Sequence, residues 1–238
     1  MTQLLFQTNS YLREFEATVL EINYEQGAII LDRTAFYPGG GGQPNDSGTL
    51  WAEDVSFPVT KVKGQEGKVW HWIDGILPSV GSKLKGQIDW DRRYKLMRTH
   101  TALHVLCGIV WRDYDALVTG GNMEPLQGRM DFEFETLQRE LVKEIEEKVN
   151  SEIQKGREVR IKILPREEAF NIPDLIRTKI NLLPDHIKEV RTVEIVGLDL
   201  QADGGTHVAN TNEVGNVRIT DYKSKGQINK RLYIELDE

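Results

Sequence analysis

The chain has 238 residues, with 37 acidic against 30 basic side chains and a formal net charge of −7; this excludes the general positive field of a non-specific nucleic-acid coat and leaves local basic patches open. The length suffices for one large domain or two small ones, and the single cysteine excludes an intramolecular disulfide framework and fits a reducing compartment. Met1–Gln7 lacks the basic region of a signal peptide and no apolar run reaches about 18 residues, so a cytoplasmic protein with no membrane span is expected.

Phe15, Ala17 and Val19, then Ile22 and Tyr24, alternate as a strand; Glu25-Gln26-Gly27 is a turn, and Ala28–Leu31 returns as the second strand of a hairpin. Next comes Arg33-Thr34-Ala35-Phe36-Tyr37-Pro38-Gly39-Gly40-Gly41-Gly42-Gln43-Pro44, which suits neither helix nor regular strand. Its bland reading is a flexible linker. The sharper reading is a close-approach loop whose backbone amides face a substrate with no side chain between. Thr49–Ala52, Phe57–Val62, Val69–Ile73 and Lys83–Trp90 are further short strands separated by turn residues, a spacing that suggests a small barrel or sandwich. His71 sits among aromatic residues in one of them and reads as a structural or surface histidine. The texture becomes helical at Asp91, which divides the chain into 1–90 and 91–238.

Leu96, Met97, Leu103, Leu106, Ile109 and Val110 recur at helical spacing and predict a helix over about Asp91–Trp111. Thr119-Gly120-Gly121-Asn122 lies in a polar, glycine-containing stretch, and Arg129–Phe134 alternates as a strand. Thr136 is positioned to cap a long helix reaching about Lys155, with Leu137, Leu141, Ile145, Val149 and Ile153 on its inner face. Val159–Leu164 is a strand, and a short helix starts at Pro165. Arg191–Val196 is a strand expected to deliver the loop Gln201-Ala202-Asp203-Gly204-Gly205-Thr206-His207. Val217–Tyr222 and Leu232–Leu236 complete a mixed sheet, so the class is α+β, with helices packed on an antiparallel sheet.

On the first of these helices His100 and His104 stand one turn apart on one face, so both imidazoles can reach one metal ion. Such a pair is common by chance. The glycine-hinged loop adds Asp203 and His207, and the four side chains make a mixed nitrogen and oxygen shell suited to zinc. Thr101 stands where a zinc protease would carry glutamate, which weakens that reading. Cys107 lies about 10 Å beyond His100 along the helix axis, and reads as a small buried thiol. Two basic runs, Arg92-Arg93-Tyr94-Lys95-Leu96-Met97-Arg98 and Lys223–Arg231, are candidates for phosphate contact.

Three motifs in this order, Arg33–Gln43, Arg98-Thr99-His100-Thr101-Ala102-Leu103-His104 and Gly204-Gly205-Thr206-His207-Val208, resemble the editing module of alanyl-tRNA synthetase. With no room for an aminoacylation domain, the chain is similar to the free-standing AlaX trans-editing proteins in the form with an N-terminal barrel. The resemblance implies an N-terminal β-barrel with the glycine-rich motif (1–90) and a zinc-binding editing domain (91–238). It implies hydrolysis of the ester that joins a wrong amino acid, chiefly serine and also glycine, to tRNA(Ala), with one zinc ion per chain. His100, His104 and His207 fall on the family's ligand positions. Asp203 departs from the common Cys-Gly-Gly-Thr-His pattern, so the fourth ligand is either this harder oxygen donor or none, with Asp203 beside a three-histidine site. Thr34 matches the position associated with the seryl hydroxyl, with Gln43 as a further pocket residue, and amides of Gly41 and Gly42 would hold the oxyanion or the terminal ribose. Arg92, Arg93, Arg98, Lys223, Lys225, Lys230 and Arg231 would meet the tRNA. No membrane and no obligate protein partner are expected.

Three rivals stand beside this reading. The related editing domain of threonyl-tRNA synthetase shares the histidine motif and would act on another aminoacyl-tRNA. A zinc-stabilised tRNA-binding module would not catalyse, and the residue at 203 favours it. A generic metallohydrolase of small esters or peptides would ignore tRNA.

Overall fold

Short segments fill the first ninety residues, and most of them pair edge to edge into a closed ring. In the computed structural model, which describes residues 2–173, 175–176 and 188–238, they are β1 (Gln3–Leu4), β2 (Glu14–Asn23), β3 (Ala28–Leu31), β4 (Arg33–Thr34), β5 (Gly48–Ala52), β6 (Val55–Gln65), β7 (Lys68–Ile73) and β8 (Lys83–Ile88). Six of them close a barrel in the order β2-β3-β7-β6-β5-β8, all neighbours antiparallel. The closed barrel settles the choice against a sandwich. Alternate residues point inward, as a period of two requires, so Phe15, Ala17 and Val19 of β2 meet Leu50, Val59, Leu84 and Ile88 in one buried cluster. Each of these side chains larger than Ala17 contributes about 1.5–3 kcal/mol relative to exposure. The remaining pair, β1 with β4, is parallel and ties Leu4 to Thr34.

These strands belong to one of two compact units, Met1–Tyr94; the other is Lys95–Glu238. Helix α1 (Trp90–Tyr114) starts one residue before the expected Asp91. Asp89 caps it, its Oδ1 accepting from the Arg92 amide at 3.2 Å. Residues 99–110 are all buried, so this helix is a core element and not an amphipathic surface one.

The second unit continues with β9 (Val118–Glu124), β10 (Gln127–Glu133), α2 (Arg139–Gln154), β11 (Val159–Pro165), α3 (Arg166–Phe170), β12 (Glu189–Ile195), β13 (Asp199–Ala202), β14 (Val217–Ser224) and β15 (Asn229–Leu236). The expected single mixed sheet is instead two antiparallel sheets, β14-β15-β10-β9 and β11-β12-β13. Leu103 of α1 lies against Gly128 of β10. The Asn150 side chain of α2 both donates to Val217 O at 2.7 Å and accepts from Val217 N at 2.9 Å, which docks α2 on β14. Glu152 is buried on α2 because Arg112, Lys155 and Arg157 each donate to it at 2.8 Å.

The polar, glycine-containing stretch Thr119–Asn122 is part of β9, an edge strand, with a bulge where it pairs β10. Other local expectations are corrected. Thr136 does not cap α2: the helix begins at Arg139 with Gln138 before it and no side-chain cap. Its buried stripe is Val142, Ile145, Val149 and Ile153, with Leu137 outside the helix. A strict step of four overshoots a turn of 3.6 residues by about 40°, so residues 137 to 153 cannot share one face. Finally, β13 intervenes between β12 and the Asp203 loop. Among the described residues no helix is long and apolar enough to cross a membrane.

Candidate metal centre

Two pieces of backbone bring the four predicted ligands together. Helix α1 stacks His100 and His104 on one face, and the turn after β13 folds Asp203 and His207 back toward them. The Gly205 amide donates to Asp203 Oδ1 at 2.7 Å, which holds that turn. One nitrogen or oxygen from each of His100, His104, Asp203 and His207 lies within 4.8 Å of the others. Ring centroids are 5.1 Å apart for His100–His104, 4.2 Å for His100–His207 and 4.7 Å for His104–His207. From Asp203, Oδ1 is 2.9 Å from His207 Nε2, and Oδ2 is 3.5 Å from His100 Nε2 and 3.9 Å from His104 Nε2. Tetrahedral zinc with arms of about 2.0–2.1 Å needs donors about 3.3 Å apart. Three imidazoles and a carboxylate at these separations are a donor set that fits a divalent cation.

The protonation states of His100, His207 and Asp203 suit the same task, and that of His104 runs the other way. Burial holds His100 well below the ordinary imidazole range against the pull of the Asp203 charge. Burial likewise takes His207 down to about 4, although its hydrogen bond to Asp203 opposes this. Burial pushes the Asp203 carboxyl up, and the neighbouring His100 and His207 more than reverse that, leaving it well below the usual carboxylate range. Burial lowers His104 too, but the hydrogen bond to Asp199 and the charges of Asp203 and Asp199 together outweigh it, and the net shift is upward. Metal ligands must present bare imidazole nitrogens and an ionised carboxylate. His207 Nδ1 is 3.2 Å from Thr101 Oγ1, and Arg191 Nη1 donates to the Asp203 carbonyl at 2.8 Å. Thr101, Arg191 and Asp199 carried no sequence signal as site residues, because their roles arise from strand and helix placement and not from spacing. Cys107 is buried, as expected, with Gln201 Nε2 3.3 Å from its sulfur.

In the first unit the glycine-rich stretch is a defined turn, not a flexible linker. Gly40 and Gln43 exchange backbone hydrogen bonds of 3.0 and 2.9 Å, and Tyr37 Oη donates to Gly40 O at 3.0 Å. Gly39, Gly40, Gly41 and Gly42 have φ of 80°, 136°, 57° and 88°, a run that side-chain-bearing residues rarely adopt. Gln43 is buried. Thr34 is fully buried, its Oγ1 accepting from Phe36 N at 3.1 Å and lying 2.8 Å from His71 Nε2. His71 is therefore structural and not a surface residue.

The basic runs are only partly what they promised. Arg93 is fully buried: it pairs with Asp46 and donates to Ser10 O at 3.0 Å and Ala35 O at 2.6 Å. Lys230 is buried too, with Nζ donating to Gly226 O at 2.9 Å and Gln227 O at 2.8 Å. Both are buried, unlike Lys223 and Lys225, and their donors are engaged within the protein. Arg92 is half-buried with Nη2 on Asn45 O, and Arg98 donates to Val214 O and Asp237 O. Lys223 and Lys225 are exposed, Lys223 pairing with Asp221 at 2.9 Å, and Arg231 holds Asp131 with two hydrogen bonds of 2.6 and 2.7 Å.

Comparison with known proteins agrees with this division of parts. Residues 6–92 match the family model described as tRNA synthetases class II (A), and residues 190–233 match the threonyl and alanyl tRNA synthetase second additional domain. The barrel and the histidine centre thus place the chain in the class of modules shared with these synthetases. The alanyl-tRNA editing protein AlaX-M of Saccharolobus solfataricus is 44% identical over 98% of this chain and 98% of its own, and that of Methanosarcina barkeri is 40% identical over 99% of each. The alanine–tRNA ligase of Ignicoccus hospitalis is 38% identical over 92% of this chain but only 24% of its own length. The chain belongs to the AlaX-M family of alanyl-tRNA editing proteins.

Proposed function

We propose that this protein is a cytoplasmic trans-editing hydrolase that deacylates mischarged tRNA(Ala), chiefly Ser-tRNA(Ala) and also Gly-tRNA(Ala). The observation that carries the reading is the convergence of His100, His104, Asp203 and His207, in a chain aligned end to end with proteins named for alanyl-tRNA editing. In the reaction a water oxygen attacks the ester carbonyl. The bond between that carbon and the terminal ribose oxygen then breaks, giving free amino acid and tRNA with its hydroxyl restored. Zinc is the cation we assign to the site; when bound, it supplies a Lewis acid near neutral pH.

The residues then divide the work. His100, His104 and His207 hold the ion, with Asp203 as fourth ligand or as a carboxylate beside a three-histidine site. Thr34 is assigned the seryl hydroxyl and Gln43 a further polar contact in discrimination. A buried group that needs that hydroxyl rejects alanine far better than an apolar pocket can. The amides of Gly41 and Gly42 are assigned the oxyanion or the terminal ribose. Arg92, Arg98, Lys223, Lys225 and Arg231 are the cations left for the tRNA backbone. Residues 1–90 form the barrel domain and 91–238 the editing domain in this scheme, which needs no obligate protein partner.

The test is hydrolysis of Ser-, Gly- and Ala-tRNA(Ala), with and without a chelator and with zinc restored. Loss of seryl-ester cleavage with chelator, regained on adding zinc, is expected, with alanyl ester spared throughout. A second reading, a tRNA-binding module without catalysis, is favoured by aspartate at 203 in place of the softer thiolate. Such a protein would protect the seryl ester in the same assay.

A further inference from the structure

The face of α1 that carries His100 and His104 continues one turn on to Gly108. The turn leading into β13 lies against that glycine. A Cβ at 108 would stand 3.0 Å from Asp199 Cβ and 3.0 Å from Leu198 Cγ, closer than carbon atoms pack at about 3.5–4.0 Å. A side chain there would press on the turn and require it to shift. With the turn seated, Asp199 Oδ2 comes to 3.2 Å from His104 Nδ1. A carboxylate oxygen accepts and cannot donate, so the proton of this bond sits on Nδ1. The opposite nitrogen, Nε2, is the one that looks toward Asp203 at 3.9 Å.

The carboxylate is itself held. Gln201 follows two residues later on the same face of β13, and its Nε2 donates to Asp199 Oδ2 at 2.7 Å and to Cys107 Sγ at 3.3 Å. Both amide hydrogens are engaged, and Asp199 is 4% exposed. A chain of contacts thus runs from Cys107 through Gln201 and Asp199 to His104, closed at each link.

We infer that Asp199 is the positioning residue that makes His104 a metal ligand, and that Gly108 is the gap that admits it. This rests on the reading of His100, His104, Asp203 and His207 as a cation site. A carboxylate behind a ligating imidazole fixes the ring and its tautomer and strengthens the other nitrogen as a donor. Removing such a partner characteristically costs about 10–100-fold in metal affinity.

The experiment is competition for zinc between a chelator and the full chain. Asp199→Ala is expected to bind zinc about 10–100-fold more weakly than the wild type, with the melting temperature of the zinc-free protein showing that it is folded. Asp199→Asn, which keeps an acceptor oxygen but loses the charge, should fall between, and serves if the alanine variant does not fold. Gly108→Ala should weaken zinc binding in the same direction by displacing Asp199. In zinc-free protein, at a pH where titration shows the His104 ring to be neutral, its nitrogen chemical shifts should report a protonated Nδ1, and this preference should be lost in Asp199→Ala. Wild-type zinc affinity in folded Asp199→Ala, or an unchanged His104 tautomer, overturns this inference and leaves the cation site standing. A wild-type chain that takes up no zinc, with His100→Ala indistinguishable from it, overturns both.

Discussion

Arg93 and Asp46 form a sealed ion pair, with Arg93 Nε 2.9 and 3.0 Å from the two carboxylate oxygens and side-chain exposures of 0% and 1%. Burying charge is costly unless every hydrogen-bonding site is filled. Here Arg93 also reaches the carbonyls of Ser10 and Ala35, and Asp46 accepts from the Tyr37 amide at 2.6 Å. The pair therefore fastens both flanks of the glycine-rich turn to the first turn of α1. Removing one partner leaves an uncompensated buried charge, so Arg93→Ala should lose about 3–5 kcal/mol of stability. Arg93→Lys should recover only part, lacking the planar fork. Denaturant unfolding measures both, and a loss below about 1 kcal/mol for the alanine variant would contradict the account.

His71 gives a pH dependence of known sign. Burial lowers its pKa from 6.5 to about 4, outweighing its backbone hydrogen bonds to Ile29 and Val69. The folded state thus binds the proton less readily than the unfolded state. Its full contribution is present above pH 6.5 and is lost as pH falls from 6.5 toward 4. By linkage this one group should remove about 3 kcal/mol across that window. His71→Gln should flatten that part of the stability–pH curve, as read from unfolding midpoints. Equal slopes in the two proteins would show that His71 does not titrate as described.

Thr34→Val removes the oxygen that serves both Phe36 N and His71 Nε2. Leaving two buried groups without it should cost about 1–3 kcal/mol of stability. If Thr34 has the assigned role, the preference for seryl over alanyl ester should narrow by about tenfold or more while zinc content stays unchanged. An unaltered ratio, measured on the two esters side by side, would remove Thr34 from discrimination.

Asp203→Cys restores the thiolate of the common family pattern. A thiolate is a softer donor for zinc than a carboxylate, so the variant should retain zinc against a chelator better than the wild type. His100→Ala should lose both metal and hydrolysis. Full zinc occupancy in that variant would exclude His100 as a ligand.

Much of this molecule was legible in the residues because local rules governed it. Alternation from Phe15 and the turn residues that separate the later strand-like segments marked out the barrel strands. The i, i+4 histidines and the glycine-hinged Asp203–His207 turn named the cluster, since spacing alone puts each pair on one side of its element. Legibility failed where tertiary placement decided. Arg93 reads as part of a basic run, yet one turn of helix aims it at Asp46. Thr119–Asn122 reads only as a polar, glycine-containing stretch, yet pairing with β10 makes it part of an edge strand. Asp199 looks like any strand-end carboxylate, and only the missing side chain at Gly108 brings it to His104.

The cluster joins α1 to the loop after β13, two parts of the chain otherwise remote in sequence. A cation held by side chains from both would act as a removable rivet in the second unit. Heat resistance would then rise with the free concentration of the ion by mass action. A preparation stripped during purification would melt earlier than one kept loaded, and that difference can be followed without any tRNA at all.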